Sequence, residues 1–226
     1  MYQLVFDEKA ISIMSMTGNF IEKLKIRLNQ PLPGATAQDQ MRARRSSGES
    51  ISFTHHGLPK QGGVALLLYQ HRGSWYFPLI KRKQYQGIHS GQISLPGGKM
   101  EPGDLSLAET ALRESREELG LSLNHQQIVG NLSELYIIAS HFNILPVVAL
   151  MDSKPSIKPD LREVEYTITA SVDQLLLQDI KQQKELLVRG YDISAPFFDV
   201  ENQVVWGATA MIINEFLTLV KEICHE

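Results

Sequence analysis

Cysteine and long apolar runs are both scarce in this chain of 226 residues. A single cysteine, Cys224, cannot form an intramolecular disulfide, which favours a reducing compartment and excludes a fold held by disulfides. No stretch approaches the roughly 18 apolar residues of a transmembrane helix. The charged residues at positions 7–9 are not typical of a signal peptide. These absences predict a cytoplasmic protein with no membrane partner.

Excess positive charge is also absent. The chain has 25 acidic residues against 22 lysines and arginines, a formal net charge of −3. Without a basic field to attract nucleic acid, an anionic ligand needs local cations or a metal ion. Hydrophobic residues form 43% of the chain, enough for a substantial core. We predict an N-terminal helical extension and loop over residues 1–60 and one main domain over residues 61–226.

Apolar periodicity predicts interspersed helices and strands, which favours an α/β fold with a mixed β-sheet between helices. Thr17 is a plausible N-cap of the first helix. The arginines Arg42, Arg44 and Arg45 lie in a polar segment expected to be a short helix and loop. The predicted helices cover 20–28, 105–119, 171–177 and 207–223, the strands 63–69, 75–80, 92–95, about 127–138 and 143–151, and a hairpin 199–206.

The helix over 105–119 has clear signals at both ends. Ser106 and Glu109 have the spacing of a capping box, in which each side chain satisfies a backbone amide of the other. Gly120 is suited to the left-handed residue that ends a helix. A Gly97-Gly98 bend lies ahead of this helix, after the expected strand over 92–95.

Three glutamates of this helix are unfavourably placed for folding alone. Glu114, Glu117 and Glu118 are three and four residues apart, so their like charges repel, and the helix dipole disfavours them near the C-terminus. A divalent cation reverses the sign of that repulsion, because carboxylates are hard oxygen ligands. Arg113 can pair with Glu117 one turn on. The alternative is a solvated acidic face without a ligand.

Residues 98–121 resemble the Nudix box. Arg113-Glu114-Ser115-Arg116-Glu117-Glu118-Leu119-Gly120-Leu121 matches its second half, with Ser115 in place of a hydrophobic residue. The first half departs, since the interval from Gly98 to Arg113 is one residue longer than in the plain box and the early glutamate is missing. Asp104 stands near that glutamate's place.

The resemblance implies the Nudix fold, an α/β/α sandwich with a mixed β-sheet, and hydrolysis of a diphosphate linkage with Mg²⁺ or Mn²⁺. It implies Glu114, Glu117, Glu118 and the carbonyl of Gly97 as metal ligands, with Glu117 and Arg113 also catalytic. Related enzymes often place a further glutamate after the central strands, which makes Glu163 the remaining catalytic candidate. The alternative for Glu163 is an ordinary surface loop residue.

The segment ahead of the box is similar to the signature of coenzyme A diphosphatases within this family. Arg82 and Gly91 match it, Leu95 replaces phenylalanine, and Gly87 stands where arginine is usual. The resemblance implies cleavage of coenzyme A, a nucleoside diphosphate derivative, to 3′,5′-ADP and 4′-phosphopantetheine. Cationic donors suit phosphate, so the expected recipients of the 3′-phosphate are Arg82, Lys81 and Lys83.

Several alternatives stay open. The substrate could instead be ADP-ribose, a dinucleotide or a nucleoside triphosphate, and the chain could be a non-catalytic nucleotide-binding module of the same family. Trp206 is expected to pack in the core, and His89 and His141 are expected in loops or the core, without catalytic roles. A homodimer is possible, and the sequence does not decide it.

Overall fold

The computed structural model describes residues 19–49, 53–84, 90–178, 182–188 and 190–225. Thr17, Gly87 and His89 lie outside these ranges. Five helices are found there: α1 (Phe20–Leu28), α2 (Ala35–Gln38), α3 (Leu107–Leu119), α4 (Val172–Leu177) and α5 (Gly207–His225). The strands are β1 (Arg44–Arg45), β2 (Lys60–His71), β3 (Ser74–Arg82), β4 (Ile93–Ser94), β5 (Gly97–Lys99), β6 (Ile128–Asn131), β7 (Leu135–Ile137), β8 (Phe142–Met151), β9 (Val164–Ser171), β10 (Gln183–Val188), β11 (Tyr191–Val200) and β12 (Gln203–Trp206).

The larger sheet has eight strands, with a path β4-β3-β2-β8-β6. Strand β5 pairs with β2, β7 with β8, and β9 with β3. The long β2 and β8 are parallel, and the other pairs of this sheet are antiparallel. This confirms the predicted mixed sheet.

Strand β2 divides the core into two layers because its successive side chains point to opposite faces. Leu66 and Leu68 belong to the cluster that also contains the apolar residues of α5. Ala65 and Leu67 belong to the cluster on the other face, together with Ala111 of α3. The sheet is therefore covered by α5 on one side and by α3 on the other, which is the predicted α/β/α sandwich.

A smaller four-stranded sheet joins β1, β11 and β10, with β12 paired to β11. The β11–β12 hairpin turns at Glu201 and Asn202, both with positive φ angles (51° and 62°), as a tight two-residue hairpin requires. The sequence predicted this turn and α4. It missed β9, β10 and the first part of β11, and the predicted strand over 127–138 is two strands, β6 and β7.

The N-terminal segment packs on α5. Residues Phe20, Leu24 and Leu28 of α1 are buried and join the core cluster that contains the α5 side chains. The division at residue 60 stays a prediction. Within the described ranges, no helix is long and apolar enough to cross a membrane.

A fully buried carboxylate anchors this segment. Glu215 of α5 accepts hydrogen bonds from the backbone amides of Gly34 (3.0 Å) and Ser133 (3.2 Å) and from the side-chain amide of Gln38 (2.9 Å). Since buried donors need partners, this one side chain ties the loop before α2 to the loop between β6 and β7.

We expect Glu215→Ala to lower the free energy of unfolding by about 3 kcal/mol or more, because three donors lose their acceptor in the interior. Glu222→Ala is the matched control. It removes an ion pair with Arg27 in which the glutamate is 43% exposed, and such pairs contribute less than about 1 kcal/mol. Urea unfolding of both variants measures the difference. Equal losses would show that Glu215 is not the anchor.

Candidate active site

Helix α3 carries the acidic face, and its ends fix its position. The Ser106 hydroxyl accepts from the Glu109 amide (3.2 Å), as predicted. The second half of the capping box differs, because the Glu109 carboxylate accepts from the amide of Leu105 (2.7 Å) and not from that of Ser106. Gly120 ends the helix in the left-handed conformation, with φ 69°. This difference in the hydrogen bond of Glu109 does not change the register of the helix.

Two side chains of α3 hold the backbone of β5, and we name this arrangement the α3–β5 clamp. The Glu118 carboxylate accepts a hydrogen bond from the amide of Gly97 (2.8 Å). The Arg113 guanidinium donates to the carbonyl of Lys99 (3.0 Å). Between these two contacts, a Cβ on Gly98 would collide with the Glu114 carboxylate. A side chain at position 98 would therefore force the Glu114 carboxylate to move away from the bend.

Asp104 holds Arg113 in place. Its carboxylate accepts from Nε and Nη2 of Arg113 (3.0 and 3.1 Å), from the amide of Glu101 and from the hydroxyl of Thr110 (both 2.9 Å). The hydrogen bonds from Arg113 contribute most to lowering the pKa of Asp104 to about 2. The sequence left the role of Asp104 open, and the structure shows that it positions the arginine.

Arg113 also contacts two of the three predicted metal ligands. Its Nη1 lies 3.0 Å from Oε1 of Glu114 and 2.7 Å from Oε2 of Glu117. The predicted Arg113–Glu117 pair is thus present. Burial raises the pKa of the Glu114 carboxyl, and Arg113 opposes that effect. The Glu117 side chain is 52% exposed and that of Glu114 is 12% exposed, so the arginine joins an exposed carboxylate to a largely buried one.

Glu118 points inward and is almost completely buried, with 1% of its side chain exposed. Burial raises the pKa of its carboxyl to about 7. Its Oε1 has no hydrogen-bond partner in the described part of the chain, although Nη2 of Arg82 lies 3.1 Å away. A buried carboxylate oxygen left without a hydrogen bond is an unusual feature that a bound cation would resolve.

The donor set fits a divalent cation in its chemistry. It combines carboxylate oxygens with the Gly97 carbonyl, the hard ligands that Mg²⁺ and Mn²⁺ prefer. The side chains do not converge on one point, however. Among the described residues, no three histidine, cysteine or acidic side chains lie close enough together to hold one ion. Glu114 and Glu117 turn to Arg113 while Glu118 turns to Gly97, so their assignment as metal ligands stays a prediction.

The structure separates the three cations expected to bind phosphate. Arg82 donates to the Gly97 carbonyl and to the Ser94 hydroxyl (3.3 Å), and it faces Glu118. Lys81, its neighbour in β3, lines a separate hollow of about 300 Å³, because successive strand residues face opposite sides. Lys83 is exposed beyond the end of β3. A common role in binding the 3′-phosphate is therefore not supported by their placement.

Glu163 lies close enough to Glu118 to raise the pKa of that carboxyl by charge repulsion. Its loop is tied to the end of α3, since the amide of Asp160 donates to the Glu118 carbonyl (3.1 Å). The carbonyl of Glu163 accepts from the amide of Lys83 (3.0 Å). The side chain is exposed, and its catalytic role stays a prediction.

A cavity of about 920 Å³ opens beside the clamp. Gly97, Gly98 and Arg82 form part of its wall. The sequence predicted neither the contribution of β1 and β11 to the wall nor that of Trp206. The aromatic residues that line the cavity are Phe53, Tyr136, Phe142, Tyr191 and Trp206. The volume and mixed lining are those of a small-molecule site.

The comparisons with known proteins show the family of the chain. The NUDIX domain family matches residues 59–189. The chain is 33% identical over 196 residues to the mitochondrial coenzyme A diphosphatase NUDT8 of Homo sapiens, covering 85% of this chain and 75% of the human protein. The Mus musculus protein of the same name is also 33% identical, with 82% and 90% covered.

A solved structure shares the fold. The MutT/nudix family protein from Enterococcus faecalis superposes with a TM-score of 0.52 at 16% identity, covering 91% of this chain and 75% of that one. The chain belongs to the Nudix hydrolase family. Within the family, it is similar to the coenzyme A diphosphatases.

We expect Asp104→Asn to lower the free energy of unfolding at pH 7 by about 2 kcal/mol, because the charged acceptor of Arg113 is lost. The folded-state pKa of Asp104 is depressed from 3.8 to about 2. Its contribution is therefore fully present above about pH 4 and is lost as the pH falls through about 2.

Urea unfolding at pH 7, 5 and 3 measures this dependence. The difference in free energy of unfolding between the native protein and Asp104→Asn should be about the same at pH 7 and pH 5. It should be smaller at pH 3. Asp152→Asn, at an exposed aspartate, is the control and should give no such gap. A gap that stays constant down to pH 3 would refute the assignment.

Proposed function

We propose that this chain hydrolyses the diphosphate linkage of coenzyme A, or of a closely related nucleoside diphosphate derivative, with Mg²⁺ or Mn²⁺. One observation carries the proposal: the clamped glycine bend, with a buried carboxylate oxygen beside it, forms part of the wall of a large cavity. Cleavage of coenzyme A gives 3′,5′-ADP and 4′-phosphopantetheine.

Sequence similarity and the cavity support the choice of substrate. The residues ahead of the box resemble the coenzyme A diphosphatase signature, and the similar human and mouse proteins are named for that activity. The cavity is also large for a ligand site, whose usual range is about 300–1,000 Å³. Its aromatic walls would pack against a nucleobase and an alkyl chain.

In the proposed site, Glu114, Glu117, Glu118 and the Gly97 carbonyl would hold the cation. When bound, a divalent cation neutralises diphosphate charge and lowers the pKa of a water molecule. Arg113, fixed by Asp104, stays beside the carboxylates and stabilises negative charge developing on the phosphate. Release from Glu118 would let Arg82 donate to a phosphate oxygen.

Glu163 is the proposed proton acceptor. It lies near Glu118 yet is exposed, so it can receive a proton from an attacking water and return it to solvent. Hydrolysis leaves one of the two phosphates of the diphosphate on each product, and the proton from water is released to the solvent.

Replacing Glu117 with Gln tests the catalytic assignment. We expect kcat to fall at least 10²-fold, because a charge beside the diphosphate is lost while the side-chain shape is kept. Glu101→Gln, an exposed glutamate ahead of the helix, is the control and should retain nearly normal activity. A correctly folded Glu117→Gln enzyme with near-normal turnover would contradict the assignment.

A substrate panel tests the specificity. With Mn²⁺ present, we expect kcat/KM for coenzyme A to exceed that for ADP-ribose at least ten-fold, measured by mass analysis of the products. Faster hydrolysis of ADP-ribose would overturn the choice of substrate while leaving the diphosphatase activity intact. Tight nucleotide binding without turnover of any diphosphate would favour a non-catalytic module instead.

A further inference from the structure

Part of the cavity wall carries a cluster of arginines. Three of the lining residues are Arg44 and Arg45 of β1 and Arg42 just before that strand. This segment lies outside residues 59–189, the region that the family matches. Among the described residues lining the cavity, one is acidic, Glu49. The basic ones are Arg42, Arg44, Arg45, Arg82 and Lys99.

Backbone pairing directs Arg45 into the cavity. Strand β1 is antiparallel to β11, and Arg45 stands opposite Ile193. Directly opposed residues share one face of a sheet, and Ile193 is buried and lines the cavity together with Tyr191. The guanidinium of Arg45 accordingly lies over the Tyr191 ring, 4.1 Å from its centroid.

The donors of Arg45 are only partly used. Its Nη1 pairs with Glu49 at 2.8 Å, and that glutamate is 70% exposed. Its Nε is buried and has no hydrogen-bond partner in the described part of the protein. Nearby, Arg42 pairs with Asp39, whereas Arg44 has no ion-pair partner among the described residues. A largely buried guanidinium with an unused donor is suited to an anionic acceptor such as a phosphate group.

These observations, together with the proposed function on which they rest, lead to one assignment. We infer that Arg45 binds a phosphomonoester of the substrate that is separate from the diphosphate under attack. Arg44 alternates with Arg45 along β1 but also lines the cavity, so it adds positive charge nearby. The glycine bend and the arginine wall line the same cavity, so one ligand can reach both. In a coenzyme A-like substrate, this group is the 3′-phosphate of the adenosine.

The assignment replaces the earlier expectation for that phosphate. Arg82 is engaged with Glu118 and Gly97, and Lys81 lines another hollow. The N-terminal segment thus provides substrate selection as well as packing. A family member without basic residues at this part of the cavity would not distinguish substrates with a 3′-phosphate from those without one.

Nucleotide binding without metal tests the inference separately from catalysis. Isothermal titration in the presence of EDTA compares adenosine 3′,5′-bisphosphate with AMP, which differ only in the 3′-phosphate. The native protein should bind the bisphosphate at least ten-fold more tightly. Arg45→Gln should reduce this preference at least ten-fold, because charge-assisted hydrogen bonds are lost.

Arg72→Gln, at the β2–β3 turn and outside the cavity lining, is the matched control and should keep the preference. Arg44→Glu provides a second variant should Arg45→Gln fail to fold, since Arg44 is exposed. We expect it to reduce the preference at least three-fold. A preference unchanged in whichever of these two cavity variants folds would overturn the inference.

Kinetics with coenzyme A and dephospho-coenzyme A separate this inference from the proposed function. If both are hydrolysed and Arg45→Gln lowers kcat/KM for the two by the same factor, the inference fails and the function stands. If neither is hydrolysed but the bisphosphate preference still depends on Arg45, the function fails and the phosphate site stands.

Discussion

The α3–β5 clamp is the constraint on which the site depends. The helix contributes Glu118 to the amide of Gly97 and Arg113 to the carbonyl of Lys99. These polar contacts orient the bend, while apolar residues on the opposite side of α3 pack on the sheet. The charged residues and the core therefore fix the same helix, and displacement of one would disturb the other.

The α3–β5 clamp also explains why the sequence places three mutually repelling glutamates on one helix. Three glutamates crowded near the C-terminal end of a helix repel one another and oppose the helix dipole. In the structure, two arginines and one backbone amide offset this repulsion. Asp104 then holds Arg113 from the other side. A cation that enters would take over part of this compensation, so folding and ligand binding share the same side chains.

Local signals in the sequence predicted the central part of the fold. The serine cap and Gly120 marked the ends of α3, and the apolar run around residue 66 marked β2. The Glu201–Asn202 turn was equally readable, because positive φ angles restrict which residues occur there. Strand β9 was missed even though its Val164, Thr167 and Ile168 favour strands, since polar residues interrupt the apolar pattern.

The parts of the site that were not predictable depend on distant contacts. Nothing local to Arg45 indicates that β1 pairs with β11, some 150 residues later, and so faces the cavity. Likewise, helical spacing placed Glu118 on the acidic face but could not show that it turns inward to a buried amide. The role of Asp104 depended on the shape of the extended loop, which the sequence spacing alone does not define.

The proposed function requires the acidic face beside the α3–β5 clamp to bind a divalent cation. Titration of the apo protein with Mn²⁺, followed by electron paramagnetic resonance of the free ion, measures that binding without any substrate. We expect saturable binding of Mn²⁺ that Glu118→Gln weakens at least ten-fold and Glu101→Gln leaves unchanged. Absence of binding in the native protein, or equal affinity in all three, would contradict it.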